Sequence, residues 1–240
     1  MSTEVFLFAR LREIVGQPSI HFHAQEFRTV ADVWAKVCAE FPQVKEFESN
    51  LLFAVNQEFA NLQTPVRAGD EIAIFPPVSG GENETPLPSL EDVTGDVFEI
   101  VRVPIRIEPL ASKLQRPEDG AIVIFDGIVR NNTSGRKTLY LEYDGYEPMA
   151  LKKMKDIGAE IRGKWLVNHI CIVHRLGRLE IGDTSVVIAI ASAHRKIAFE
   201  ACQYAIDTLK RTVPIWKKEF FEDGEVWVEG EYSQPPSSFK

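Results

Sequence analysis

The sequence predicts an α+β protein of two domains joined by a linker, and three observations carry that expectation. Residues 1–81 place strand-like runs around a single amphipathic helix stripe. Residues 82–100 are acidic, dotted with proline and poor in large apolar groups. Residues 101–240 return to apolar strand patterns mixed with two further helix stripes.

In the first domain, residues 5–11 are rich in β-formers and are expected to be a strand. Residues 19–24 supply a second strand after the Gly16-Gln17-Pro18 turn, so the two read as a hairpin. Thr29 then precedes Val30, Val33, Trp34, Val37, Cys38 and Phe41, which share one helix face, and Pro42 stands just past the end. Residues 51–56 and 71–75 are two more strands, with Ala68-Gly69-Asp70 as a turn between them. Two strands, a helix and at least two more strands describe a β-grasp, a sheet wrapped on one helix. The segment closes on Pro76-Pro77-Val78-Ser79-Gly80-Gly81. Adjacent glycines lack Cβ atoms and can thread a channel too narrow for any side chain, as a tail offered to an active site must. Read alone, the pair serves a hinge equally well.

From Glu82 through Pro86, Pro88 and Glu91 to Glu99 the chain reads as an exposed linker, the kind of place where proteases cut. Beyond it, residues 102–110 alternate as a strand. Residues 121–129 are nearly all apolar, as for a strand buried on both faces, and end at Arg130-Asn131-Asn132. An alternating strand over 139–143 precedes a helix with Ala150, Met154, Ile157, Gly158 and Ile161 on its inner face. Strands over 165–174 and 184–191 flank a turn region at 177–182. The last clear helix starts near Ser192, with Ala198, Ala201, Cys202, Ala205, Ile206 and Leu209 inside, and Pro214 ends it. A short strand around Trp227 closes the domain.

Composition excludes several function classes. The net charge of −8 argues against nonspecific nucleic-acid binding, but the charge is uneven. Residues 1–81 carry 6 basic and 10 acidic groups, residues 82–100 carry 6 acidic and no basic ones, and residues 101–240 carry 21 and 19. An acidic first part and a slightly cationic last part attract one another. The longest apolar run, residues 186–191, is far short of the ~20 residues that cross a bilayer, and the N-terminus is no signal sequence, so the expected place is the cytoplasm. Cys38, Cys171 and Cys202 share no metal-ligand spacing and sit in apolar patterns, as buried structural thiols do. His21 and His23 lie on one strand face without a visible third ligand, so no metal is expected. With no phosphate-cradling Gly-x-x-x-x-Gly-Lys motif, any use of ATP belongs to a partner.

The Ala54-Val55-Asn56 run, Gly69-Asp70-Glu71-Ile72-Ala73 and the closing Pro-Pro-Val-Ser-Gly-Gly make residues 1–81 resemble the ubiquitin-like small subunit of molybdopterin synthase. The second half resembles the large, catalytic subunit. The matching pieces are Gly127-Ile128-Val129-Arg130, Leu141-Glu142-Tyr143, His174-Arg175-Leu176-Gly177, Ser192-Ala193-His194-Arg195, Leu209-Lys210 and Pro214-Ile215-Trp216-Lys217-Lys218-Glu219. The resemblance implies a sulfur carrier whose Gly80-Gly81 tail ends in a carboxylate that a partner enzyme adenylates with ATP and a sulfur donor converts to a thiocarboxylate. It implies that the sulfur passes to cyclic pyranopterin monophosphate, and that the large-subunit half is a homodimer. This chain departs from the pattern in one respect: Gly81 is joined to Glu82, so a processing protease must act there. A noncatalytic scaffold, or an uncleaved precursor with a blocked tail, is the alternative.

Read as chemistry, Ser192 looks like an N-cap followed by two cations, His194 and Arg195, in the first turn of a helix. Positive charge opposes the dipole there, and a phosphate held by the free N–H groups, with Arg195 as its partner, offsets the cost. Lys210, near the other end, suits the dipole, and one of the adjacent Lys217 and Lys218 is expected to face solvent. The resemblance implies that Lys210 and Lys217 are the active-site lysines and that Arg130 binds an anion. In general a lysine in partly apolar surroundings near other cations gives up its proton more readily and serves as base or nucleophile. His169 and the His174-Arg175 pair read as structural or supporting. His194 and Lys210 are 16 residues apart in sequence, about 24 Å along one helix. If both serve one substrate, the site forms between two copies.

Overall fold

The computed structural model describes residues 2–23, 27–77 and 95–228. The Gly80-Gly81 pair and residues 82–94 of the expected linker lie outside them. The chain divides into two compact units, Met1–Pro77 and Val78–Lys240.

The first unit runs β1 (Ser2–Leu7), α1 (Ala9–Val15), β2 (Ser19–His23), α2 (Val30–Glu40), a 3-10 stretch (Pro42–Asn50), β3 (Leu52–Val55), β4 (Glu58–Ala60) and β5 (Glu71–Phe75). Its sheet has the order β2-β1-β5-β3-β4, with β5 parallel to β1 at the centre and the other pairs antiparallel. This is the expected β-grasp. Thr29 caps α2 in a reciprocal box with Asp32, whose carboxyl is held below the ordinary carboxylate range by the Arg28 and Thr29 backbone N–H groups. The face formed by Val30, Val33, Trp34, Val37 and Cys38 is buried on the sheet. Each large apolar side chain there contributes roughly 1.5–3 kcal/mol over an exposed position.

Two expectations for this unit need correction. The first strand ends at Leu7, because Leu11 is buried and Ile14 and Val15 pack on the same core, a helical spacing that a continued strand would break. Gly16, read as a turn residue, is the C-cap of α1 at φ 79°, with its N–H bonded to the Arg12 carbonyl. The strand β4 was unexpected from the sequence. Asn56 and Gln57, at φ 51° and 66°, form a two-residue turn of the kind that suits a twisted hairpin, and the Asn56 side chain ties it to Asp70 and to the Glu71 N–H.

The second unit runs β6 (Val97–Val101), α3 (Ile107–Leu114), β7 (Ala121–Ile128), β8 (Asn132–Thr133), β9 (Arg136–Gly145), α4 (Glu147–Lys164), β10 (His169–Arg175), β11 (Gly177–Glu180), β12 (Thr184–Ser192), α5 (Arg195–Thr212), β13 (Ile215–Phe221) and β14 (Gly224–Val228). One sheet has the order β6-β10-β12-β7. The other has the order β11-β9-β13-β14, with β8 paired to β9. Helices α4 and α5 cover one face of the first sheet through Met154, Ile157, Ala201 and Leu209. Leu114 of α3 packs against Cys171 and Val173 on the other face. All three cysteines are buried and outside any disulfide, and burial pushes Cys171 up to about 12 and Cys202 to about 11, so both stay thiols.

Three further differences from expectation have physical causes. The strand expected over 102–110 is displaced: Pro104 has no N–H for a ladder, Pro109 sits in the first turn of α3, and the strand that forms is β6, starting inside the expected linker. Its start is fixed by Asp96, which accepts from Arg162 at 2.6 and 2.9 Å and from the Ile170 N–H at 2.9 Å. β7 is not buried on both faces but is an edge strand, with Ile128 58% exposed. Finally, Ser192 is the last residue of β12 rather than a helix cap. Its hydroxyl donates to the Leu166 carbonyl at 3.2 Å and accepts from the His194 N–H at 3.4 Å, and α5 begins at Arg195 with His194 as N-cap.

Candidate active site

Four of the residues singled out in the sequence converge where β7 and β10 end and β12 begins. The Val129 N–H donates to the Asp183 carbonyl and the Gly182 N–H to the Val129 carbonyl, both at 2.9 Å, which closes the end of β7 onto the turn ahead of β12. Arg130 follows directly and is exposed there. α5 leaves the far end of β12 and runs back over β12 and β7, so its last turn carries Lys210 to the same end as Arg130 and His174.

His174 lies beneath that turn, 4% exposed, with Nδ1 3.0 Å from the Arg175 carbonyl oxygen. Burial, reinforced by the Lys210 ammonium and opposed by the Arg175 bond, brings it down to about 4. Its ring meets the edge of Tyr143 at 5.2 Å between centroids. Tyr143 in turn stands opposite Lys217 in the β9–β13 register. Lys217 is 20% exposed, and its Nζ lies 2.7 Å from Oε1 of Glu219, which is 1% exposed. The two are neighbours on one strand face because side chains repeat every second residue. Oε2 of Glu219 is buried with no hydrogen-bond partner among the described residues.

Lys218 points to the opposite face, as alternation requires, but it is not the solvated member that was expected. It pairs with Glu225 at 2.6 Å and lies over the Phe220 and Trp227 rings. Lys210, Lys217 and Arg130 therefore belong to one end of the second unit, with Tyr143, His174 and Glu219 bracing them. Glu219 and Tyr143 were missed in the sequence. The signal was present for Glu219, since a carboxylate two residues from a lysine on a strand shares its face.

His194 and Arg195 lie elsewhere. They are exposed at the start of α5, whose 18 residues span about 27 Å, so one chain does not bring them to Lys210. The turn that carries them is packed tightly from below: the Gly120 N–H donates to the Ser192 carbonyl at 3.1 Å, and a Cβ on Gly120 would fall 2.3 Å from the Ala193 carbonyl oxygen. A cleft of about 410 Å³ between β6 and α4, lined by Phe98, Ile100, Glu147 and Leu151, contains none of these residues. His21 pairs with Glu4 at 3.6 Å, and no three His, Cys, Asp or Glu side chains among the described residues are grouped to hold a metal. No helix among the described residues is long and apolar enough to cross a membrane.

A β-grasp unit followed by an α/β unit with a lysine braced by a buried carboxylate defines the class: a carrier-type module joined to a catalytic one. Comparison with known proteins makes it specific. The MoaE protein family matches residues 100–212 and the ThiS family residues 5–81. The molybdopterin synthase catalytic subunit of Bacillus subtilis (strain 168) is 51% identical over 131 residues, which cover 55% of this chain and 83% of that protein. The corresponding protein of Nostoc sp. is 46% identical over 146 residues, covering 60% and 88%. The crystal structure of molybdopterin synthase from Staphylococcus aureus superposes with a TM-score of 0.51 at 49% identity, over 55% of this chain and 96% of that one. The chain belongs to the family of molybdopterin synthase catalytic subunits, is an enzyme of that class, and carries a ThiS-family domain ahead of the catalytic one.

Proposed function

We propose that this chain serves molybdenum cofactor biosynthesis by moving sulfur from a thiocarboxylate at Gly81 to cyclic pyranopterin monophosphate, making the dithiolene of molybdopterin. The observation that carries the reading is the convergence of Lys210 and Lys217 on one end of the catalytic unit, with Lys217 held by the buried Glu219. In this reading Lys210 is the base or nucleophile and Lys217 supports it electrostatically. Arg130, with His194 and Arg195, clamps the phosphate and pterin.

The reading needs two copies of the catalytic unit. β7 is an apolar edge strand with Arg130 beyond one end, while its Ala121 end pairs with Ser192, just ahead of His194. A two-fold axis across an antiparallel β7 pair sets the Arg130 end of one copy beside the His194 end of the other. Each thiocarboxylate delivers one sulfur, so two carriers visit each site in turn, and a permanent tether hinders the exchange. Cleavage between Gly81 and Glu82 therefore precedes turnover, after which a partner enzyme adenylates the freed Gly81 carboxylate with ATP.

Intact mass of the protein from its native cell tests this. Scission after Gly81, with a thiocarboxylate on the shorter piece after exposure to the activating enzyme and a sulfur donor, is the expected result. A chain that is always whole, and inactive with the pterin substrate, favours the scaffold or stored precursor instead.

A further inference from the structure

α5 lies across β12 and β7, and α4 lies beside it toward β6. Tyr204 faces α4: its ring is 5.3 Å from that of Trp165, and its hydroxyl is bonded to Glu160 and Lys164. Phe199, five residues earlier, is turned about 140° round the helix from Tyr204. It therefore stands on the other flank, above the edge strand β7, and is 61% exposed there. Arg195, Phe199, Gln203, Ile206 and Lys210 follow one another at spacings of four, four, three and four residues, so all share that flank. Such steps of three and four mark a helix that packs along its length against another helix.

The strand beneath is unguarded. Among the described residues β7 is the last strand of its sheet, and each of its eight residues is at least partly exposed. Edge strands are ordinarily blunted by proline or charge, yet β7 has no proline and one charged residue, Asp126. We infer that Phe199 and Ile206 of α5 form a helix seam that seats a second copy of this chain and sets its register, a step that rests on the two-copy reading above. Two-fold antiparallel pairing of β7 with itself joins two sheets into one and brings both α5 helices side by side on the same face. α5 runs alongside β7, with Arg195 near the Ala121 end and Lys210 near the Ile128 end. The middle of β7 is about 12 Å from Ala121, which is level with Gln203 at about 1.5 Å per residue along α5. A two-fold axis at that level sets Gln203 beside its own counterpart and Phe199 against the turn that holds Ile206 of the partner subunit. Arg195 then comes beside the last turn of the partner subunit's α5. Apolar surface thus meets apolar surface in the middle of the seam, and cations gather at its two ends, where an anionic substrate binds.

Sedimentation velocity of the full chain tests the seam. Phe199→Glu is expected to weaken the dimer about thirtyfold or more with its circular dichroism unchanged, because the side chain is exposed in the single copy. Phe199→Leu, which keeps an apolar group, stays within about threefold of wild type. A second measurement needs only an exposed polar position: Gln203→Cys, oxidised gently with copper phenanthroline, gives a covalent dimer on a non-reducing gel. Glu200→Cys, on the α4 flank where Trp165 Nε1 donates to Glu200 at 3.3 Å, gives none. Nor does wild type, whose three cysteines are buried. A wild-type chain that stays monomeric, a Phe199→Glu chain that associates like wild type, or no cross-link through position 203 overturns the inference. Both measurements read assembly and not turnover. A chain that assembles this way but makes no molybdopterin ends the functional reading alone, and an active dimer indifferent to Phe199 and Gln203 ends the seam alone.

Discussion

The two ends of α5 carry cations proposed to serve one substrate, yet they are built on opposite plans. At the Lys210 end the supporting groups are inside: His174 and Glu219 are almost fully buried, and Lys217 is fixed by an ion pair. At the His194 end the cationic side chains are outside, and what is buried is backbone, the Ser192–Ala193 turn resting on Gly120. The difference teaches that one end is a prepared site and the other a projection. A projection is useful only to a neighbour.

The strongest way to break the contrast is to remove a cation at each end in separate chains. Lys210→Ala is expected to lower kcat by about a thousandfold while leaving the melting temperature almost unchanged, since the residue is exposed. Mixed in equal amounts with Arg195→Ala and allowed to exchange, it should recover about a quarter of wild-type activity, because half of the dimers are mixed and each holds one intact site. No recovery means that the two ends do not meet between copies.

Next in size is the brace itself. Glu219→Ala leaves the Lys217 ammonium without its buried partner and should cost about 3 kcal/mol in urea unfolding at constant slope, together with most of the activity. A loss of activity with no loss of stability would place Glu219 in the chemistry instead. The buried imidazole gives a related effect on acidification. Because His174 in the folded chain sits near 4, below its ordinary value of 6.5, the unfolded state binds the proton first as pH falls. Stability is therefore full above about 6.5 and declines toward 4, by on the order of 3 kcal/mol in all. His174→Phe should abolish that part of the pH dependence, and an unaltered profile would show that other groups cause it. The smallest effect belongs to the projecting end. Gly120→Ala drives a methyl into the Ala193 carbonyl and should cost about 1–2 kcal/mol, weakening phosphate-ligand binding.

Much of this was legible in the sequence, for reasons specific to each element. The α2 stripe and its Thr29 cap were readable because burial and capping act locally. The α4 inner face was readable for the same reason, while Lys210 and Lys217 were singled out by resemblance alone. The edge position of β7 was not, since an apolar run looks the same whether a strand is covered by its own chain or left for another. Nor was the start of α5: Ser192 has the chemistry of a cap, and only the tertiary contact with Leu166 shows that its hydroxyl is engaged by the strand layer. Among the bracing groups, His174 reads as a supporting residue in the sequence and Glu219 shares a strand face with Lys217, but the meeting of Tyr143 with the His174 ring joins two distant strands, and sequence spacing carries no trace of it.

One feature of the first unit has a mechanical side. β5, which runs directly into Pro76 and Pro77, lies at the centre of its sheet and parallel to β1. Force drawn along the tail, as when it is pulled from a tight channel, acts along β5 and loads the hydrogen bonds to β1 and β3 together in shear rather than peeling them one after another. The module can thus be tugged by its end without unravelling.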